Sequence, residues 1–481
     1  MPLFTTRNAS LRHRARQSSV VSSFLALTVL GAIASLTPLL HFDRRVSAAA
    51  AQPQQNPDTF VHLFEWRWED IARECEEFLG PKGFTAVQVS PPHEHAIVAG
   101  NPWWSRYQVV SYQIASRSGD RREFADMVRR CQAAGVGIYV DAIVNHTTGV
   151  GTGVGFLGTP FGEYDYPAIP YSFDDFHHCG RHGDDDIRNY QDRFEVQNCE
   201  LVELADLDTG SETVRDRLGA YLNDLLSLGV AGFRIDASKH MSVEDITAIL
   251  SRLDREAVIY QEVIQTTGEP IRAAEYLGNG RVTEFRYGRD VSAAFLAGSL
   301  SELRELGNVG EWLPSERAIV FIDNHDNQRG HGAGGNILSH KKGKLYELAV
   351  LFMLAHPYGR PRVMSSFDFD NTEQGPPIVA SGATRPVHTE TTLNCFRNDW
   401  KCEHRWPAIA NMAAFRQAVG DAPLENWWDN GSDQIAFSRG DRGFLALNRA
   451  TDRFLDRVLQ TGLPAGNYCN VARDNFDVAS N

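Results

Sequence analysis

The stretch Gly232-Phe-Arg-Ile-Asp-Ala-Ser-Lys-His240 shows the pattern from which the fold is predicted. A short apolar run ends in charged and polar side chains, and a helical pattern follows it. Other apolar or β-branched runs repeat this arrangement along the chain. The eight predicted strands are 60–64, 84–89, 137–144, 232–235, 258–263, 282–285, 318–322 and 362–364.

Stretches with apolar residues at helical spacing lie between these strands. They include 68–79, 123–134, 211–228, 243–253 and 345–354. Buried strands that alternate with helices form a parallel sheet, and eight such units close into a barrel. The sequence therefore predicts an α/β fold, a (β/α)8 TIM barrel.

Two regions depart from this alternation. Residues 145–207 are rich in Gly, Asp, His and Tyr, show no clear helix and are too long for a plain loop. We predict an inserted irregular domain here, after strand 3. From about residue 425, short alternating strands with Gly turns predict a C-terminal all-β, Greek-key-like domain. The predicted barrel comprises 58–144 and 208–425, the insert 145–207 and the C-terminal domain 426–481.

Residues 1–57 are typical of a signal peptide followed by a spacer. Four arginines precede an uncharged run, residues 20–40, and three alanines at 48–50 offer a cleavage site. The run is also long enough to span a membrane, so an uncleaved anchor is the alternative. In both cases we expect the body of the chain to be exported, and after cleavage we expect no stable membrane insertion.

The composition is that of a globular enzyme, with 42% hydrophobic and 22% charged residues among 481. The chain carries 47 Lys and Arg against 61 Asp and Glu, and without residues 1–57 the count is 41 against 60. Because phosphate binding requires clustered basic side chains, this acidic body excludes nucleic acid and anionic lipid as partners. We expect a neutral or cationic ligand.

Polar clusters follow four of the predicted strands, where the active sites of such barrels lie. They are Asp141 to His146, Arg234 to His240, Tyr260 to Val263, and Asp323 to Gln328. A lone acid at such a position is usually a helix cap or a structural ion pair. Carboxylates that converge on one barrel mouth, however, repel one another and raise a pKa among them. Glycosidic bond cleavage needs one protonated and one ionised carboxyl group.

These motifs, together with Val61-His-Leu-Phe-Glu-Trp-Arg-Trp68, resemble those of the α-amylases of glycoside hydrolase family 13. The chain resembles most closely the animal-type, chloride-dependent subgroup, from Val61 to the end of the chain. The resemblance implies a secreted, monomeric, endo-acting α-amylase that hydrolyses internal α-1,4-glucosidic bonds of starch, glycogen and malto-oligosaccharides. A transglycosylase or exo-acting relative, and an inactive membrane-anchored amylase-like ectodomain, are the alternatives.

By this resemblance, Asp236 is the nucleophile, Glu262 is the general acid/base and Asp326 stabilises the transition state. Retention of configuration follows, so we predict about 5–5.5 Å between the carboxyl groups of Asp236 and Glu262. Arg234 lies two residues before Asp236 on the same strand and points to the same face. Its positive charge should therefore keep Asp236 ionised.

The resemblance also implies a set of substrate contacts. They are Trp103, Trp104, Tyr107, Gln108, His146, Arg234, Lys239, His240, Ile264, His325 and His331. For the three aromatic residues, a buried cluster is the alternative to stacking on sugar rings. The glycine-rich stretch 331–335 lacks the flanking elements of a phosphate loop, and we interpret it as a mobile loop over the cleft.

Two ions are implied by the same resemblance. A structural Ca²⁺ would be bound by the side chains of Asn145 and Asp206 and the main-chain carbonyls of Gln197 and His240, all of them oxygen donors. An activating chloride would be bound by Arg234, Asn324 and Arg362. Chloride beside Glu262 would disfavour the ionisation of that acid.

The chain has seven cysteines, and export permits disulfides. The resemblance pairs Cys75 with Cys131, Cys179 with Cys199, and Cys395 with Cys402. By the loop-entropy model, the first pair contributes about 4 kcal/mol to stability. Cys469 is left over, and the resemblance places its partner past Asn481. We therefore expect the C-terminal domain to be incomplete within these 481 residues.

Overall fold

The computed structural model describes residues 59–396 and 399–473. Its central sheet consists of β1 (Phe60–Leu63), β2 (Ala86–Val89), β3 (Gly137–Ala142), β4 (Gly232–Ile235), β5 (Val258–Gln261), β6 (Arg281–Thr283), β7 (Ala318–Val320) and β8 (Arg360–Ser365). These parallel strands close into a barrel in the order β1-β8-β7-β6-β5-β4-β3-β2. Each strand overlaps one of the predicted runs, and the TIM barrel is confirmed.

Burial on both faces explains why the strands have nearly continuous apolar sequences. Every residue of β1, β2, β4 and β7 is buried. The start of β4 requires glycine, because a Cβ on Gly232 would lie 2.3 Å from the main-chain oxygen of Val258 in β5. This close approach sets the position of β4, which carries Arg234 and leads into Asp236.

The α-helices of six or more residues surround or extend the barrel. They are α1 (Trp68–Glu74), α2 (Arg121–Ala133), α3 (Arg193–Asn198), α4 (Glu212–Ser227), α5 (Val243–Leu250), α6 (Phe285–Leu296), α7 (Lys344–Ala355) and α8 (Pro407–Val419). The predicted helix 68–79 begins where expected, but it changes to a π-helical segment at Cys75–Leu79 and ends in a short α-helical turn, Gly80–Lys82. A capping box between Asp120 and Glu123 fixes the start of α2.

The insert contains a helix that the sequence did not predict. Helix α3 lies within residues 145–207, together with two short strands, Gly153–Val154 and Pro160–Phe161. Its six residues are too few to show helical periodicity, and a side-chain cap from Asp192 to the Phe194 N–H starts it.

A small antiparallel sheet between β2 and α2 was also missed. Its strands are His93–His95, Val109–Ser116 and Gly119–Asp120. The pairing of the first two strands shifts register on both sides of Glu94, and this irregularity removes the strict alternation by which strands are recognised.

The C-terminal sheet is antiparallel, with β9 (Leu424–Asp429), β10 (Gln434–Arg439) and β11 (Gly443–Asn448) in sequential order. Its all-β character agrees with the sequence pattern. Arg439 donates to the main-chain oxygen of Ala355 at 2.7 Å and so attaches this sheet to the end of α7.

Three disulfides form with the pairing that the resemblance implied, and Cys469 is exposed with a free thiol. The helices in the described part of the chain are all too short or too polar to cross a membrane. The predicted signal peptide, its uncharged run 20–40 and the cleavage site lie outside the described residues.

Candidate active site

The ends of β3, β4 and β5 bring three carboxylates around one guanidinium. Arg234 Nη1 lies 2.5 Å from Asp141 Oδ1 and 2.6 Å from Asp236 Oδ1, and its Nη2 lies 2.6 Å from Glu262 Oε1. All four side chains are buried. Asp236 and Glu262, the predicted nucleophile and acid/base, thus contact different nitrogens of one group and lie close together.

The turn after Asp236 orients Glu262. Ala237 adopts a left-handed conformation, with φ 48° and ψ 30°, and its N–H donates to Glu262 Oε2 at 3.1 Å. A residue with a side chain pays roughly 1 kcal/mol for this conformation, and such strain is typical of functional sites. Nothing in the sequence Asp236-Ala237-Ser238 indicates this turn.

Burial raises the pKa of several carboxyl groups in this cluster. Burial raises the pKa of Asp236 well above its usual range, Arg234 opposes this rise, and Glu262 and Asp141 add to it. Burial, with a further contribution from Glu262, raises the pKa of Asp326 to about 7. Arg234 therefore acts in the predicted direction, but burial has the larger effect because one cation cannot neutralise several buried carboxylates.

Tyr107 connects the third predicted carboxylate to the cluster. Its hydroxyl donates to Asp141 Oδ2 at 3.0 Å and contacts His325 Nε2 at 2.7 Å. His325 Nε2 in turn lies 3.3 Å from Asp326 Oδ2. Burial lowers the pKa of His325 well below its usual range and that of His146 to about 3, so both rings are neutral hydrogen-bonding groups at working pH.

The loop 101–108 after β2, which we call the substrate loop, contains both buried and accessible side chains. Trp103 and Tyr107 are buried, and the Trp103 ring packs 5.6 Å from His325. Trp104 is only partly buried and has surface left for a ligand. Gln108 is buried and accepts from the Gly149 N–H at 2.7 Å. Trp103 and Tyr107 thus agree with the alternative of a buried cluster, and only Trp104 of these three residues is left for stacking on a sugar ring.

Lys239 and His240 lie on the 3-10 turn after β4. Lys239 Nζ contacts Glu269 Oε2 at 2.6 Å and lies 5.0 Å from the centre of the Tyr190 ring. Sequence reasoning missed both partners, because Tyr190 lies in the insert outside any motif and Glu269 in a loop after β5. His240 Nδ1 donates to the Val196 main-chain oxygen at 3.0 Å, which attaches the turn to α3.

The glycine-rich stretch 331–335 and the preceding Gly330, which together we call the glycine loop, lie directly against Asp326. The His331 N–H donates to the Asp326 main-chain oxygen at 3.1 Å. A Cβ on Gly332 would lie 2.9 Å from Asp326 Cβ and 3.5 Å from Ile264 Cδ1. The loop thus brings His331 and Ile264, two predicted substrate contacts, to the third carboxylate.

The residues predicted to bind chloride offer buried donors without partners. Among the described residues, Arg234 Nε and Arg362 Nε and Nη2 are buried and make no hydrogen bond. Arg362 Nη1 donates to Gln88 Oε1 at 2.9 Å. Burial lowers the pKa of Arg362, and the nearby charge of Arg234 lowers it further. Asn324 Nδ2 makes only a 3.5 Å contact, with Asp326 Oδ2. Two neighbouring cations with free N–H groups fit a small anion.

The predicted calcium ligands also leave an oxygen unsatisfied. Asn145 Nδ2 donates to Asp206 Oδ1 at 3.1 Å, while Asn145 Oδ1 is buried without a partner. Burial raises the pKa of Asp206 to about 7 although His177 contacts its other oxygen at 2.7 Å. No group of three or more His, Cys, Asp or Glu in the described ranges is arranged to hold a metal. Amide and main-chain oxygens, including those of Gln197 and His240, would complete this site, as Ca²⁺ accepts.

Known proteins are similar to this chain over most of its length. A family model described as "Alpha amylase, C-terminal all-beta domain" matches residues 426–479. The chain is 49% identical to pancreatic α-amylase 2a5 of Mus musculus over 442 residues, which are 85% of this chain and 86% of that protein. The chain belongs to the α-amylase family. The α-amylase family also includes the pancreatic α-amylase of Sus scrofa, 49% identical over 88% of both chains.

A solved structure of the α-amylase family supports the same conclusion. α-Amylase I from Eisenia fetida, in a glutamate-to-glutamine variant bound to maltohexaose, superposes with a TM-score of 0.82 and 44% identity. The match covers 87% of this chain and 89% of that one. The resemblance to the α-amylases and the enzyme class, a glycoside hydrolase, are therefore confirmed.

Proposed function

We propose that this chain is a secreted, endo-acting α-amylase that hydrolyses internal α-1,4-glucosidic bonds with retention of configuration. The observation that carries the proposal is the contact of Asp236 and Glu262 with one guanidinium, that of Arg234. Retaining hydrolysis requires two carboxyl groups at close range, one as nucleophile and one as acid. Starch, glycogen and malto-oligosaccharides are the proposed substrates, by analogy with the maltohexaose bound to the Eisenia fetida relative.

In the proposed mechanism, Asp236 attacks the anomeric carbon while Glu262 gives its proton to the glycosidic oxygen. The bond between these two substrate atoms breaks, the shortened glucan leaves with a new hydroxyl, and a glycosyl ester remains on Asp236. Glu262 then removes a proton from water, whose oxygen attacks the same carbon and releases Asp236. Asp326 stabilises the positive charge that develops on the sugar ring in both steps.

The surrounding residues position these groups. Arg234 and the Ala237 N–H each contact one oxygen of the Glu262 carboxyl group and so fix its orientation. The neutral rings of His146 and His325 are proposed donors to sugar hydroxyls, and His146 Nε2 has no protein partner among the described residues. The partly exposed Trp104 ring is the proposed platform for a sugar face.

A cavity lies among the segments that follow β5 and β6. It has a volume of about 860 Å³, opens beside Val263 and Glu269 and extends to Arg272 and Trp312. Val263 directly follows Glu262, and Glu269 contacts Lys239. None of the three proposed catalytic carboxyl groups lines this cavity, so product analysis has to decide between endo and exo action.

Product sizes from maltoheptaose test the proposed function. We expect early release of maltotriose, maltotetraose and other intermediate products, because an open cleft accepts internal bonds. Chromatography of short incubations is the measurement. Release of a single short product from one end would favour an exo-acting enzyme, products longer than maltoheptaose would favour a transglycosylase, and no products at all would favour an inactive ectodomain.

Removing chloride should move the alkaline limb of the pH–rate profile to lower pH. Arg234, Asn324 and Arg362 would hold the anion, and its negative charge disfavours ionisation of Glu262. Without the anion, one negative charge fewer opposes ionisation in the site, so activity should fall earlier as pH rises. Rates on starch are measured from pH 5 to 9 in two series of buffers, one with sodium chloride and one with sodium sulfate in its place. An identical profile in both series contradicts chloride binding at this place.

The proposed calcium site, Asn145 and Asp206 with the carbonyls of Gln197 and His240, would fasten the insert to the barrel. Asn145 follows β3 and Asp206 ends the insert, so an ion between them cross-links both ends of residues 145–207. Secretion is supported by the three disulfides, which are typical of exported proteins. We propose a monomer in solution.

A further inference from the structure

Glu373, in the loop that follows β8, joins two other loops of the site through one carboxylate. Its Oε2 accepts from Trp104 Nε1 at 2.5 Å, and its Oε1 lies 3.2 Å from His331 Nε2. Trp104 belongs to the substrate loop after β2, whereas His331 belongs to the glycine loop after β7. No motif of the sequence includes Glu373.

The position of Glu373 is fixed by its own loop. The Thr372 main-chain oxygen accepts from Trp103 Nε1 at 2.9 Å, and the Glu373 N–H donates to Asn371 Oδ1 at 3.1 Å. A Cβ on Gly375 would lie 1.8 Å from the Asn101 main-chain oxygen, so the two backbones are in direct contact there. Residues before and after Glu373 in the sequence thus contact the substrate loop and hold Glu373 against it.

The glycine loop, in contrast, has few constraints of its own. Gly330, Gly332, Ala333 and Gly335 all have positive φ. Glycines at such positions allow several backbone conformations of similar energy. The contacts of this loop with the site include the main-chain bond from His331 to Asp326, the His331 ring 5.9 Å from that of Trp103, and the side-chain contact from His331 to Glu373.

We propose that Glu373 is a positioning residue that fastens the glycine loop to Trp104 and thereby sets how a glucan chain lies relative to the catalytic carboxylates. This inference rests on the proposed function. Glu373 touches none of the reacting atoms. It holds the Trp104 ring by its N–H edge, which fixes the ring face for stacking, and it holds His331 over the sugar next to Asp326. An unfastened loop must be ordered by the substrate itself, which weakens binding.

The test compares Glu373→Ala with wild type on maltoheptaose. Loss of the hydrogen bond from Trp104 and of the contact with His331 should raise KM about tenfold, with kcat changed by less than about threefold. The positions of cleavage, read from end-labelled maltoheptaose, should become more widely spread. Glu373→Gln keeps an acceptor for Trp104 and an N–H for His331, so it should restore KM and the cleavage pattern. Glu390→Ala removes an equally exposed carboxylate away from these loops and should match wild type.

Calorimetric titration of the same variants with maltoheptaose, in an Asp236→Asn background, separates this inference from the proposed function. A Kd about tenfold higher for Glu373→Ala supports the positioning role without any turnover. Wild-type KM, Kd and cleavage pattern in Glu373→Ala would overturn it. A fall in both kcat and thermal stability with unchanged KM would also overturn it, because a purely structural role predicts that result. A wild-type chain that binds maltoheptaose but hydrolyses none would contradict the proposed function alone.

Discussion

Replacement of Asp236 by Asn is expected to lower the kcat for starch hydrolysis by about 10⁴-fold or more. The amide has nearly the same shape as the carboxylate but cannot attack the anomeric carbon, so the covalent route is closed. Binding should persist, because Trp104, Lys239 and the histidines of the site remain. The expected pattern is a large fall in kcat with a small change in the Kd of maltoheptaose.

The measurement is the release of reducing ends from soluble starch at pH 7, with the fold checked by circular dichroism. Asp254→Asn is the matched control, because it makes the same chemical change on an exposed side chain away from the barrel mouth. Starch hydrolysis by Asp236→Asn at more than a tenth of the wild-type rate would show that another group is the nucleophile.

Replacement of Arg234 by Gln should destabilise the protein by about 3–5 kcal/mol, the usual cost of leaving buried charges without a partner. Arg234 is the cation in contact with Asp141, Asp236 and Glu262, all of them buried. Activity should fall as well, because the two catalytic carboxyl groups lose their common support. Urea unfolding of both proteins measures the change in the free energy of unfolding.

The destabilisation caused by Arg234→Gln should increase as pH rises. Burial already raises the pKa of Asp141 and Asp236, and loss of the cation raises both further. A carboxyl group whose folded pKa lies above its unfolded value binds more protons in the folded state, so its penalty grows as pH rises. The difference from wild type should therefore be larger at pH 8 than at pH 5.

The control for this experiment is Arg121→Gln, which breaks an exposed pair with Asp224. That change should cost no more than about 1 kcal/mol. Equal stability of wild type and Arg234→Gln at pH 8 would contradict the central role given to this guanidinium.

The barrel could be predicted because its strands are buried on both faces and therefore read as separate apolar runs. Strand β4 illustrates this, since Gly232 to Ile235 is apolar except for Arg234, and the polar cluster begins at once after it. The sheet that contains His93 to His95 could not be predicted, because its register shifts hide the alternation. Helix α3 depends on a cap at Asp192 and contacts within the insert, not on periodicity.

The three predicted catalytic carboxyl groups all follow barrel strands, so their convergence could be expected from the barrel alone. The structure adds groups that have no local signal. The left-handed Ala237 donates to Glu262, which β5 brings beside it, and Asp141 joins the cluster through its contact with Arg234. Glu373 lies far along the chain from Trp104 and meets it through the fold. Long-range contacts of this kind are not encoded in any single stretch of sequence.

The proposed role of Asp236 as nucleophile is tested most directly by trapping the glycosyl ester on its side chain. Glu262→Gln is incubated with a fluorinated maltosyl fluoride, whose activated leaving group needs no acid and whose hydrolysis is slow without the base. Peptide mapping by mass spectrometry then locates the attached sugar. We expect a glycosyl adduct on the peptide that contains Asp236 and on no other. An adduct on a different carboxylate, or release of product of inverted configuration without any adduct, would contradict it.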